Sequence, residues 1–330
     1  MLNRLFPTLM FTFISTSILA DETSDHLLEN WRLWATEYGI TETAIAIGKD
    51  GEVLASDGIN RESTRPYPVM SLSKALTAVC LTEVLKEKGL PLTSTLAELQ
   101  TQFDKVSISI PSALSNATVG QLMTMTAGLE PDLTQGDFNR SYRYGDTRNI
   151  GISKQALQAR GLEGDVGTFF YNNGSYALLG ALLEALTETD NVEACAERLF
   201  PDGTGDSAKF DDDWIGLAAF GGWAVSAEDY LAFVMSAFDP EGDIAQNLLR
   251  LPNYRSPERG WYYGLGTYFR LRSPQNIFWH FGAVCGTRGP DQGSYFAYYD
   301  NGYAVSVNFN ACSREPLGIA LDAALWDAAH

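Results

Sequence analysis

The strand-forming segments of this chain lie at its two ends. Two alternating stretches, Thr43 to Lys49 and Glu52 to Asp57, are joined at Asp50-Gly51, a dipeptide suited to a tight hairpin. Strand patterns return only at Leu265 to Leu271, Ile277 to Ala283, Ser294 to Tyr299 and Tyr303 to Asn308, the last two joined through Asp300-Asn301-Gly302. Between them, about residues 89–260, lie helical stretches separated by Gly, Pro, Asn and Asp clusters, of which Tyr176 to Leu186 and Ala227 to Phe238 are the clearest. Helical spacing also marks residues 25–38 and Leu317 to Ala328. A sheet assembled from both ends must close around whatever separates them. The expectation is an α+β fold: an antiparallel sheet flanked by terminal helices, with an inserted helical lobe and a site between the lobes. With 330 residues, 45% of them hydrophobic, the chain can bury a core of that size as one domain over 21–330.

Residues 1–20 carry one positive charge, Arg4, followed by an apolar run from Leu5 to Ala20. This is expected to be a signal peptide cut after Ala20, which implies an exported protein, periplasmic or secreted. The run falls short of the roughly 20 residues a span requires, so no stable membrane anchor is expected after cleavage. A formal charge of −18 disfavours nucleic acid and anionic lipid as partners, because an anionic polymer would be repelled. A small molecule or peptide remains as the expected partner. In an oxidising compartment the four cysteines allow three complete pairings. Cys285 with Cys312 is the preferred pair, since both end strands of the same sheet, whereas Cys80 lies in an apolar helix and is expected to be a buried thiol. The cysteine spacing fits no zinc pattern and there are only three histidines, so no metal or other cofactor is expected.

Three short elements carry chemistry. Ser71-Leu72-Ser73-Lys74 follows the break at Pro66 to Pro68 and is expected to open the apolar helix Ala75 to Leu85, which places a hydroxyl and an ammonium one turn apart on one face. A serine hydroxyl needs a neighbouring base. Lys74, if desolvated, or Tyr171, as a phenolate held by Lys74, would each serve, and the sequence leaves both open. Tyr171-Asn172-Asn173 and His280-Phe281-Gly282 follow in order. Gly282 is expected to leave room for a substrate to approach the strand edge.

These elements, with Tyr171-Asn172-Asn173-Gly174-Ser175-Tyr176-Ala177-Leu178-Leu179-Gly180, Leu122-Met123-Thr124-Met125-Thr126-Ala127-Gly128-Leu129, Gly221-Gly222-Trp223 and Tyr263-Gly264-Leu265-Gly266, resemble the beta-lactamase-related serine hydrolases. That group spans class C beta-lactamases, D,D-carboxypeptidases, D-aminopeptidases, amidases and esterases. The resemblance implies Ser71 as nucleophile, Lys74 and Tyr171 as a shared acid/base unit, and Asn173 bonded to Lys74 or a substrate amide. It also implies an oxyanion hole from the backbone amides of Ser71 and Ala283. The family's beta-lactamases usually carry K-T-G where this chain has His280-Phe281-Gly282, and many of its D,D-peptidases and D-aminopeptidases carry H-x-G. Phe281 stands where relatives place a hydroxyl that helps bind a substrate carboxylate. The expected activity is therefore cleavage of an amide or ester, in a D-amino-acid peptide or small ester, through an acyl-enzyme on Ser71. A D,D-carboxypeptidase or class C-like beta-lactamase is the alternative, and a non-catalytic binder of peptidoglycan fragments a third reading. A Ser/His/Asp hydrolase is disfavoured, for there is no G-x-S-x-G elbow and His280 is the only histidine away from the termini.

Overall fold

The computed structural model describes residues 21–134, 149–200, 209–210, 217, 219–286, 291–313 and 316–330. Residues 1–20, where the signal peptide is expected, lie outside them. The elements are α1 (Glu22–Glu37), β1 (Thr43–Lys49), β2 (Glu52–Ile59), β3 (Tyr67–Pro68), α2 (Ser73–Lys88), α3 (Gln100–Lys105), α4 (Val119–Met123), α5 (Asn149–Ala156), α6 (Asn173–Thr187) and α7 (Asn191–Leu199). They continue with β4 (Lys209–Phe210), β5 (Trp223–Val225), α8 (Ala227–Ala237), α9 (Asp243–Asn247), β6 (Tyr254–Arg255), β7 (Tyr262–Gly264), β8 (Thr267–Arg270), β9 (Ile277–Val284), β10 (Gln292–Tyr298), β11 (Tyr303–Phe309) and α10 (Leu317–Ala329). The eight-stranded sheet has the order β2-β1-β11-β10-β9-β8-β7-β6. Its closing contact is the antiparallel β1–β11 ladder, in which Ile45 opposes Val307 and so joins the two ends of the chain.

Both faces of the central strands are buried, and the pleat sorts their residues by size. Ala44 and Ala46 of β1 and Ala304 of β11 face one core, while Ile45, Ile47, Val305 and Val307 face the other. On the larger-residue side Leu27, Trp31 and Trp34 of α1 pack with Leu321 and Leu325 of α10. The Trp31 indole Nε1 donates to Thr43 Oγ1 at 3.1 Å, which lets a large aromatic be buried without an unpaired donor. On the alanine side α8 lies close against the sheet. A Cβ on Gly48 would stand 2.6 Å from Met235 Sδ, so the absence of side chains there sets the approach.

Two features differ from the sequence expectation. Ala227–Ala237 packs on β1 and β11 as part of the sheet layer, and β6, within the stretch expected to be helical, extends the sheet edge together with β7 just beyond it. The helical lobe is built around α6, which is buried over nearly its whole length between α2 and α5. Asn172 starts α6 by accepting the Ser175 N–H on Oδ1 at 3.2 Å, a side-chain cap that satisfies one of the first-turn amides.

Cys285 bonds to Cys312, with a Cα separation of 5.1 Å, tying the end of β9 to the segment after β11. Cys80 is buried, as its apolar helix implies, but it is not a thiol. It bonds to Cys195, Cα to Cα 5.6 Å, because α7 packs along α2 and sets the two side chains opposite each other. The pair is separated by 115 residues, so it constrains a long loop of the unfolded chain. Replacing both with alanine is expected to lower stability by about 2–5 kcal/mol, read as a lower urea midpoint than that of the parent with its disulfides intact.

Candidate active site

The turn carrying Ser71 is held from three sides. Val69 N–H donates to the Trp223 carbonyl at 2.9 Å, its own carbonyl accepts from Ser294 Oγ at 2.6 Å, and the Leu72 carbonyl accepts from Tyr230 OH at 2.9 Å. Met70 has φ of +50°, a strained value for a residue with a side chain, and it immediately precedes Ser71. Ser71 lies in a 3₁₀ turn, Met70–Leu72, and α2 begins two residues later at Ser73. The expected helix start at Ser71 is thus corrected: the tighter turn lifts Ser71 into the cleft, half-buried, while Lys74 enters the helix proper.

Lys74 is 0% exposed, with Nζ 3.1 Å from Ser71 Oγ and 3.0 Å from the Phe220 carbonyl. The rings of Tyr171, Tyr176 and Phe220 surround the ammonium, the first with its centroid 5.0 Å away. Gly266 presses against the backbone of this helix, where a Cβ would stand 2.3 Å from the Lys74 carbonyl carbon. With φ of +74° this position favours glycine twice over. Burial brings Lys74 down to about 7, partly opposed by the charge of Asp132. A neutral amine beside a serine hydroxyl can accept its proton near neutral pH.

Tyr171, half-buried, has its ring against the Lys74 ammonium, beside Ser71. Burial holds its phenol well above the usual tyrosine value, so it stays protonated. Of the two bases left open by the sequence, the electrostatics favour Lys74. His280, on β9, shares a face with Phe278 and Phe296, and its ring lies 6.0 Å from that of Tyr171. Burial and the Lys74 charge bring it down to about 3, so the imidazole is neutral. Nδ1 is 2.6 Å from the Phe281 carbonyl, an acceptor, which requires the Nδ1–H tautomer. Nε2, buried and without a partner among the described residues, therefore presents a lone pair.

Packing bears on three of these positions, and of the two partners expected for Asn173 it excludes Lys74 only. Asn173 does not reach Lys74: its Nδ2 donates to Thr134 Oγ1 at 3.0 Å and its backbone N–H to Asp132 Oδ2 at 3.1 Å, since it sits in the first turn of α6 facing that loop. At Gly282 the side-chain direction is filled, since a Cβ there would stand 2.1 Å from Ser294 Oγ and 2.4 Å from the Val69 carbonyl. The space is filled by the turn that carries Ser71, so Gly282 serves the approach of that turn to β9. Phe281 faces the terminal helices and packs at a tilt on Tyr295 with centroids 4.6 Å apart, which takes it out of the cleft. Ala283 is exposed at the end of β9. Gly266 closes the Tyr263-Gly264-Leu265-Gly266 segment already singled out, whereas Asp132 and Phe220 had no motif to announce them. Asp132 in particular acts through tertiary proximity to Lys74 and Tyr171, and nothing at its position in sequence marks it. Among the described residues no three His, Cys, Asp or Glu side chains group to hold a metal, and no helix is long and apolar enough to cross a membrane.

The family model for beta-lactamases matches residues 20–330. No curated protein matches the chain. Among solved structures it is similar to the octameric penicillin-binding protein homologue from Pyrococcus abyssi, at 19% identity and a TM-score of 0.70 over 91% of this chain and 76% of that one. It is similar also to a D-stereospecific amidohydrolase from Streptomyces sp., at 19% identity and 0.69 over 91% and 98%, and to a beta-lactamase/D-alanine carboxypeptidase from Pseudomonas syringae, at 17% and 0.69 over 93% and 99%. At these identities the likenesses speak for the fold. The family match, running through all the motif residues to the end of the chain, settles the relationship: the chain belongs to the beta-lactamase family.

Proposed function

We propose that this protein is a serine hydrolase that cleaves an amide or ester, in a D-amino-acid peptide or a small ester, through an acyl-enzyme on Ser71. The observation that carries the reading is the desolvated Lys74 amine 3.1 Å from Ser71 Oγ. In the proposed step Lys74 Nζ takes the hydroxyl proton as Ser71 Oγ bonds to the substrate carbonyl carbon. The backbone amides of Ser71 and Ala283 are assigned to the oxyanion. Collapse of the intermediate breaks the C–N or C–O bond, and the proton passes from Lys74 by way of Tyr171 to the leaving group. Water, deprotonated by the same unit, then releases the acid and restores Ser71. His280, neutral and accepting on Nε2, is assigned to orient the Tyr171 hydroxyl or a substrate N–H.

A D,D-carboxypeptidase or beta-lactamase is the second reading, and the chemistry of β9 argues against it. A neutral imidazole supplies no cation for a substrate carboxylate, and Phe281, turned to the far face, supplies no hydroxyl. A non-catalytic binder is the third, disfavoured because burying an amine against a serine is costly and serves no binding purpose. Export to the periplasm or medium is proposed from the N-terminal sequence and is supported by both cysteine pairs being oxidised.

Intact mass with peptide mapping after brief exposure to a nitrophenyl ester should place an acyl adduct on Ser71, absent from Ser71→Ala; equal labelling of both proteins would overturn the reading. The acylation rate should rise with pH through about 7 and level above it, because Lys74 must lose its proton while Tyr171 keeps its own. Lys74→Arg, always protonated, should lose on the order of 100-fold or more. His280→Ala should slow turnover yet leave the limb near 7 in place, whereas a limb that vanished with His280 would transfer the base role to it.

A further inference from the structure

Beside the candidate catalytic groups lies a run of aromatic rings that the proposed chemistry does not use. Phe169 and Tyr171 are two apart in the segment that leads into α6, and both lie against Tyr263, with ring centroids 5.4 Å and 6.2 Å from it. From the His280 ring the contacts continue to Tyr268 at 5.2 Å, then to Trp261 at 5.1 Å, then to Phe169 at 5.4 Å, which stacks on Tyr254 at 4.9 Å. Tyr263 is buried, but Phe169, Tyr254, Trp261 and Tyr268 are each only half-buried. A strip of aromatic surface therefore extends from the proton-handling end of the site, along the sheet edge formed by β6, β7 and β8. Phe169, Trp261 and Tyr268 pack against the core and, with Tyr254, stay partly accessible, which gives this end of the site an aromatic lining.

We propose that this strip receives the leaving group of the substrate, and that the preferred substrate carries an aromatic or large apolar side chain on the residue released. The inference rests on the acyl-enzyme reading above. Tyr171 is assigned to return the proton to the departing nitrogen or oxygen, so the rings that begin at Tyr171 and His280 lie on the leaving-group side of the scissile bond. The strip itself, Phe169, Tyr254, Trp261 and Tyr268, carries no cationic side chain, and the nearest ring of the third motif, His280, is neutral. Recognition on that side therefore falls to ring stacking and apolar contact in place of a salt bridge to a terminal carboxylate. The acyl group goes to Ser71 Oγ, the C–N bond breaks, and the released amine leaves across the strip.

The test compares two N-acetylated, C-terminally amidated dipeptides, D-Ala-D-Phe and D-Ala-D-Ala, which share acyl group and leaving-amine chemistry and differ in the released side chain. The D-Phe peptide should show kcat/KM higher by roughly tenfold or more. The ratio should shrink toward one in Trp261→Leu and Phe169→Leu, mainly through KM. A wild-type ratio near one would overturn the proposal, as would variants that lower both peptides in the same proportion, the mark of a merely structural role. Should a variant fail to fold, Tyr254→Leu at the outer end of the strip tests the same ratio. Ser71 labelling by a nitrophenyl ester, run alongside, separates the two levels: labelled Ser71 with no aromatic preference defeats this inference alone, and unlabelled Ser71 defeats the acyl-enzyme reading with it.

Discussion

The burial of one amine organises this molecule. Lys74 can sit beside Ser71 with its basicity reduced only if water is kept from it on every side, and every side is a different element. The 3₁₀ turn and α2 supply the serine and the stem, the Phe220 carbonyl accepts one hydrogen bond, and Tyr171 and Tyr176 close the ring of neighbours. The charge of Asp132 opposes the desolvation, so the amine stays near the balance between its charged and neutral forms.

That enclosure depends on close backbone approaches. At Gly266 the loop before β8 touches the backbone of α2, and at Gly282 strand β9 touches the turn before Ser71. Both contacts would be broken by a single methyl group. Together they clamp the helix that carries the reactive groups between two adjoining pieces of the sheet, while Tyr230 from α8 holds the Leu72 carbonyl. The positive φ of Met70 persists because its neighbours on both sides are tied down, and strain held in this way beside a reactive serine keeps the hydroxyl presented to the cleft. The site is thus as rigid as the interface between the layers.

The third motif acts on both faces of the sheet at once. His280 joins the cleft while Trp279 and Phe281 join the packing beneath the terminal helices, an outcome of the two-residue period of a strand. The same carbonyl that belongs to Phe281 sets the tautomer of His280. A strand residue that packs the far core therefore also determines which imidazole nitrogen is offered to the site, and the neutral ring leaves that side of the cleft apolar.

The end-loaded strands, the hairpin turns, the terminal helices and the three motifs were legible in the sequence, because periodicity, turn residues and short-range spacing are local properties. Local spacing also sufficed to pair Ser71 with Lys74, three residues apart on one turn. Other features belonged to the tertiary structure alone. Whether Lys74 or Tyr171 holds a proton at neutral pH follows from burial by segments distant in sequence, as Phe220 is from Lys74. Cys80 lies on a helix whose partner Cys195 is set by how α7 packs along α2, so its apolar surroundings could indicate burial but not bonding. Phe281 takes the place of a hydroxyl that relatives turn to the substrate, yet strand alternation turns it to the far face, and at Gly282 the missing side chain serves the approach of the Ser71 turn. Asp132 entered the site with no motif at all. The sequence by itself determined which groups are present and which neighbours along the chain they keep. Protonation, orientation and the shape of the cleft depend on desolvation and contact between distant segments, and only the folded chain decides those.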